Sequence, residues 1–119
     1  MTTVADLMTP MPFTVSPNDE VGNVRDLMLE AGVHCVPVID EDERPIGIVT
    51  SFDLVDEYAP QEAIRNAMTD RVITIPSHQT ASDAAKEMRM SMVHHLVVVD
   101  GAKRVTGVVS SLDLLAEIV

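Results

Sequence analysis

Two kinds of apolar pattern alternate along this chain of 119 residues. Short runs of branched residues, such as Cys35-Val36-Pro37-Val38-Ile39 and Leu96-Val97-Val98-Val99, read as buried strands. Longer stretches space their apolar residues by three or four, as in Val21, Val24, Met28 and Ala31, and read as helices with one inward face. The first half predicts a helical lead-in over 4–8 and a short strand over 13–15 bracketed by Pro10, Pro12 and Pro17. A helix then starts at Ser16-Pro17-Asn18-Asp19 and stops at Gly32. Strands over 35–39 and 46–50 follow, joined by a polar turn over 40–45, and the half ends in a helix over 51–58. The second half predicts a lead-in over 64–68, a strand over 72–75 and a helix over 82–92 with Ala81, Ala84, Ala85 and Met88 inward. A hairpin of strands 96–99 and 105–110 turns at Asp100-Gly101, and the last helix spans 111–118.

The two halves are one pattern written twice. A shift of 60 positions aligns Val4–Ala59 with Ile64–Val119 without a gap, and 15 of the 56 pairs are identical. Met8/Met68, Thr9/Thr69, Thr14/Thr74, His34/His94, Gly47/Gly107 and Asp53/Asp113 are among them. Such self-similarity is the mark of an internal duplication. It divides the chain into repeat 1 (4–59), a linker (60–63) and repeat 2 (64–119), each of order β-α-β-β-α. The expected fold class is α/β (α+β). The first two strands of each repeat should be parallel across a right-handed crossover, and the hairpin strands antiparallel. A unit this small buries too little surface to stand alone. The two are therefore expected to pack sheet to sheet about a pseudo-twofold axis, with related clefts between them.

One stretch in each repeat carries candidate chemistry. Gly47-Ile48-Val49-Thr50-Ser51-Phe52-Asp53-Leu54 matches Gly107-Val108-Val109-Ser110-Ser111-Leu112-Asp113-Leu114. The hydroxyl and the Asp fall where a strand hands over to a helix N-terminus. One use of that corner is a capping box, with Thr50 or Ser110 as N-cap and the Asp reaching back to a free N–H. The other is a nucleotide site, in which a helix N-terminus meets phosphate and the Asp accepts from ribose hydroxyls.

Composition narrows the function classes. Nineteen acidic and eight basic residues leave a formal charge of −11. That opposes a nucleic-acid backbone or an anionic membrane surface as partner. A phosphorylated small molecule stays compatible, because local donors outweigh a screened distant field. No run is long enough to span a membrane, and Met1-Thr2-Thr3-Val4-Ala5-Asp6 lacks the features of a signal peptide, so a cytoplasmic protein is expected. The single Cys35 excludes an internal disulfide and reads as a structural thiol in an apolar run. Neighbouring His94 and His95 point to opposite faces of a strand and cannot grip one ion, so no metal is expected. No nucleophile has a paired base and orienting acid at a recognisable spacing, so no enzyme and no catalytic cofactor is expected.

The duplicated pattern resembles a tandem pair of CBS domains (named after cystathionine β-synthase), a Bateman module. The likeness is carried by Met-Thr near the start of each repeat and by Thr14-Val15 and Thr74-Ile75. It is carried further by Val33-His34-Cys35-Val36-Pro37-Val38-Ile39-Asp40, by Val93-His94-His95-Leu96-Val97-Val98-Val99-Asp100 and by the two corners. The resemblance implies a non-catalytic regulatory module that binds an adenosyl ligand in the clefts and signals occupancy to a regulated protein. Asp53 and Asp113 would hold ribose hydroxyls, with Thr50 and Ser110 on ribose or phosphate. Val33, His34, Cys35 and Val36, and Val93, His94, His95 and Leu96, would line the clefts. By the same analogy the Asp113 cleft sets His94 and His95 near phosphate and Thr14, Val15, His34 and Cys35 near the base. The Asp53 cleft sets His34 and Cys35 near phosphate, with Thr74, Ile75, His94 and His95 near the base.

One departure bears on the ligand. Some members of that family place Arg at the position of Cys35 or His95 to pair with phosphate. A neutral His is the weaker partner and makes polyphosphate affinity pH-dependent. AMP is therefore favoured, or a neutral or cationic adenosyl compound; ADP, ATP, NAD and S-adenosylmethionine are the wider set. With no effector domain attached, the regulated protein is expected to be a separate chain. The apolar residues of 51–58 and 111–118 predict a flat homodimer built on those helix faces. The competing reading is a structural homodimerisation or protein-interaction module whose corners only cap helices.

Overall fold

The computed structural model describes residues 1–10, 13–55 and 58–116. In chain order its elements are α1 (Val4–Leu7), β1 (Thr9–Pro10), α2 (Val21–Ala31), β2 (Cys35–Ile39) and β3 (Pro45–Thr50). Single 3-10 turns follow at Asp53–Val55 and Ile64–Asn66. Then come β4 (Thr74–Pro76), α3 (Ala81–Ser91), β5 (His95–Val99), β6 (Val105–Ser110) and α4 (Ser111–Leu115).

The compact units are not the sequence repeats. One unit is Phe13–Val72; the other joins Met1–Pro12 to Ile73–Val119. Each repeat's lead-in has changed sides. In the first unit the repeat-2 lead-in bonds to the loop before α2, through Ile64 N to Asp19 O (2.8 Å) and Arg65 N to Pro17 O (3.1 Å). In the second unit Val4 N donates to Gln79 O (2.7 Å) and Ala5 N to Ser77 O (3.0 Å), the same bonds one repeat away.

In the unit 13–72, β2 and β3 form an antiparallel hairpin that pairs Val36 with Val49 and Val38 with Gly47. Val15 adds a parallel bridge to Val38, and Thr69 an antiparallel bridge to Ile48. The strand expected over 13–15 is thus a single bridge, flanked by prolines that have no N–H to extend a ladder. α2 packs Val21, Val24 and Met28 on Val15, Val36, Val38, Val49, Leu54, Ile64 and Ala67.

The unit of 1–12 and 73–119 repeats this with the two bridges widened into the short strands β4 and β1, in the order β1-β6-β5-β4. β4 runs parallel to β5, and β5 antiparallel to β6, as the crossover and hairpin readings require. Its core is Val4, Ile75, Ala84, Met88, Leu96, Val98 and Val109. Val97 and Val99, on the opposite face of β5, are buried too, which explains an apolar run without alternation.

Two helix expectations need correction. Residues 16–19 form a turn, not the first helical turn: Ser16 N donates to Asp19 Oδ2 (2.9 Å), and α2 begins at Val21. Its leading N–H groups instead meet linker carbonyls, Val21 N to Glu62 O (2.8 Å) and Gly22 N to Pro60 O (2.9 Å). The helix expected over 51–58 is one 3-10 turn at Asp53–Val55, with Asp56 and Glu57 outside the described residues. There Arg25 donates to the Leu54 carbonyl through Nε (3.4 Å) and Nη2 (3.2 Å), occupying an acceptor that a longer helix would use internally. The equivalent helix over 111–118 is α4, ending at Leu115 with 117–119 outside the described residues.

Candidate functional site

Strand register assembles each corner. Cys35, the first residue of β2, lies opposite Thr50, the last of β3. His95, the first of β5, lies opposite Ser110, the last of β6. Opposed residues on antiparallel strands share a face. Alternation then puts Val97 and Val108 on the face of His95 and Ser110, and Leu96, Val98 and Val109 on the other, which is the core. Thr74, paired with Val97, belongs to the His95 face. Val15 pairs with Val38, so Thr14 belongs to the Cys35 face. The expected site residues thus sort by face. Val15, Val36, Ile75 and Leu96 point their side chains into the cores and offer a ligand only backbone. Thr14, His34, Thr74 and His94 are exposed, while Val33, Cys35, Val93 and His95 are half-buried with Thr50, Asp53, Ser110 and Asp113.

The two Asp residues are caps. Thr50 N donates to Asp53 Oδ2 (2.8 Å), and Asp53 N donates to Thr50 Oγ1 (3.4 Å). Ser110 N donates to Asp113 Oδ2 (2.8 Å), and Asp113 N to Ser110 Oγ (3.2 Å). Each corner is also pinned to the preceding strand, Ser51 N to His34 O (2.9 Å) and Ser111 N to His94 O (2.8 Å). The chain uses the same Ser/Thr-x-x-Asp device at Thr3/Asp6, Ser16/Asp19 and Thr80/Asp83. Capping alone therefore does not set the corners apart; the strand residue facing each one does. Among the described residues, every hydrogen bond to Asp53 and Asp113 lands on Oδ2, and Oδ1 receives none. A capping Asp can then still accept from a ligand, so capping and ribose binding are not exclusive.

Electrostatics separates the corners. Burial, reinforced by Asp53, pushes the Cys35 thiol up to about 12, so it stays a neutral SH. Burial and then His94 hold His95 below the ordinary histidine range, against the opposing pull of Asp113. Among the described residues no group of three or more His, Cys, Asp or Glu gathers to hold a metal ion. No helix among them is long and apolar enough to cross a membrane. A shallow groove of about 300 Å³ runs between β4 and α3, lined by Thr74, Ile75, Gln79, Lys86, Glu87 and Met90 among others. It shares Thr74 and Ile75 with the expected set but contains neither corner. Sequence reasoning missed Arg25, whose bond to Leu54 spans 29 positions and leaves no local signal.

Known proteins share this architecture. A solved CBS domain pair in complex with 5′-methylthioadenosine and S-adenosyl-L-methionine superposes with a TM-score of 0.89 and 27% identity, covering 99% of this chain and 96% of that one. The cytosolic domain of the Mg2+ channel MgtE in complex with ATP superposes with a TM-score of 0.81 and 25% identity, over 94% of this chain and 47% of that one. Among curated relatives, the L-aspartate semialdehyde sulfurtransferase of Methanocaldococcus jannaschii is 28% identical over 96% of this chain and 23% of its own length. The inosine-5′-monophosphate dehydrogenase of Halobacterium salinarum is 32% identical over 86% of this chain and 21% of its own. The chain thus spans about a quarter or less of these enzymes, and the likeness is to that part alone. The CBS domain pattern itself matches residues 4–60 and again 64–119, and with both repeats accounted for this chain belongs to the CBS domain family, as a tandem pair.

Proposed function

We propose that this CBS pair is a non-catalytic sensor that binds an adenosyl ligand at its Asp corners and passes occupancy to a protein partner. The supporting observation is the whole-length match to a CBS pair in complex with two adenosyl compounds, taken with two corners that hold a half-buried Asp on the same frame. The strand residue facing each Asp is Cys35 or His95, not Arg, so a monophosphate such as AMP or an unphosphorylated adenosyl compound suits the corners better than ATP. The test is a thermal-shift panel with AMP, ADP, ATP, NAD and S-adenosylmethionine on wild type, Asp53→Ala and Asp113→Ala. A shift that grows with ligand concentration and is lost in a variant supports the reading. Losing a hydrogen bond to a charged group should weaken binding by about 1.5–3 kcal/mol. The lost cap should cost about 0.5–2 kcal/mol of stability whether or not a ligand is present. Asp83→Ala serves as control, losing a cap without losing affinity.

A second reading has its own observation. Phe52 and Val55 are 86% and 78% exposed, and their equivalents Leu112 and Leu115 are 74% and 52% exposed. Apolar side chains repeated at one place in both repeats suit a homodimer contact or another protein surface. Light scattering at micromolar concentration should give twice the chain mass; a monomer there would remove the homodimer.

A further inference from the structure

The two corners share a backbone frame and differ in what the frame presents. Cys35 faces Thr50 where His95 faces Ser110. A thiol is a weak donor, whereas an imidazole presents an N–H in the neutral form and two when protonated. The Cys35 thiol, held neutral by burial and by Asp53, supplies no charge to pair with an anion.

The surroundings differ in the same direction. The unit 13–72 has thirteen acidic and four basic residues, a formal −9, while 1–12 with 73–119 has six and four, a formal −2. The difference lies in paired positions. Asp26 of α2 becomes Lys86 of α3, and Leu29 becomes Arg89. The hairpin turns also differ, Glu41-Asp42-Glu43 against Gly101-Ala102-Lys103, but they close the far end of each hairpin from its corner. The positions on α2, which meets the Asp53 corner through Arg25, and on α3 therefore carry the local difference. Arg25 is a cation packed against the Asp53 corner, and its guanidinium is turned to the Leu54 carbonyl. An anionic ligand is disfavoured near a strongly acidic surface within a screening length of roughly 8–10 Å, and a cationic one is favoured there.

We infer that the two corners sort adenosyl ligands by charge: the His95–Ser110–Asp113 corner takes the phosphate-bearing compound, and the Cys35–Thr50–Asp53 corner an uncharged or cationic one. This rests on the adenosyl reading above and adds that the two sites are not equivalent. A duplicated module of this kind responds to two ligands at once.

The test is calorimetric titration of the full chain with AMP, with S-adenosylmethionine, and with each in the presence of saturating amounts of the other. The inference expects simultaneous binding, one of each per chain, with neither displacing the other. His95→Cys should weaken AMP by about tenfold to a hundredfold, the scale of one hydrogen bond to a charged group, and leaves both capping boxes intact. Asp53→Asn should weaken S-adenosylmethionine by a similar factor and AMP by much less. Displacement of AMP by S-adenosylmethionine at a single site would overturn the sorting. Equal weakening of AMP by His95→Cys and Asp53→Asn would overturn it too. If folded wild type binds neither compound, the adenosyl reading itself fails and the sorting falls with it.

Discussion

A Cβ placed on Gly47 would collide with the side chain of Met68, with Cγ at 3.1 Å and Cε at 3.2 Å. The collision recurs at Gly107, where a Cβ would lie 2.5 Å from Met8 Sδ and 2.9 Å from the Thr9 carbonyl oxygen. Met8, Met68, Gly47 and Gly107 all match between the repeats. In each unit the Met of one repeat's lead-in lies over the Gly of the other repeat's hairpin, where any larger residue would meet it.

Alanine at either glycine should therefore be destabilising, on the scale of about 1–3 kcal/mol for overpacking. Gly107→Ala should be the worse of the two. It meets a backbone carbonyl of β1 as well as a thioether, whereas Gly47→Ala meets a flexible side chain that can rotate away. Urea midpoints of the two variants check the order, and equal midpoints would refute it.

The helix stops offer an internal comparison. α2 ends at Gly32 with φ 67°, and α3 ends at the equivalent Met92 with φ 56°. A side chain in the left-handed region costs roughly 1–2 kcal/mol that glycine avoids. Met92 is highly exposed, so little packing is lost with it. Met92→Gly should raise stability by about 1 kcal/mol, seen as a higher denaturation midpoint; a lower one would show that the methionine makes a stabilising contact.

Cys35 should behave as an inert thiol. With its pKa pushed up to about 12 from an ordinary value of 9.0, the folded protein holds almost no thiolate at pH 8. Alkylation by iodoacetamide should run at least about a hundredfold slower than in urea-unfolded chain. The linkage sign follows. The unfolded thiol loses its proton near its ordinary value while the folded one keeps it, so stability from this group is complete below about 9 and is lost as pH rises towards about 12. Cys35→Ala should flatten that decline.

His95 works in the opposite direction. Its pKa is held below the ordinary histidine value by burial and by His94, with Asp113 opposing. On acidification the unfolded chain takes up this proton before the folded one does, so stability from this group is present above the ordinary histidine range and is lost as pH falls below it. Melting temperature from pH 7.5 to 5 should drop less for His95→Gln than for wild type. Parallel curves would mean that another group governs the acid limb.

The duplication, the helix and hairpin order and the parallel first strands were legible because they rest on local spacing and on turn residues next to them in the chain. Cys35–Ile39 and the hairpin partners came out within a residue of their expected bounds. The corner motif was legible for the same reason, since a capping box closes over three residues. The local pattern over-extends the segment after Thr50, where the Leu54 carbonyl accepts from Arg25, 29 positions away. The local pattern starts α2 too early, because the carbonyls that meet its first N–H groups come from the linker.

By itself, then, the order of residues determined the repeat, the elements and the two Asp corners, all consequences of short-range sterics and capping. Only the tertiary structure decided which lead-in covers which hairpin, and which strand residue faces each Asp. Those choices are made by long-range packing and register, where Met68 must find Gly47 across the fold and His95 must fall opposite Ser110. A pattern read along the chain carries no term for either.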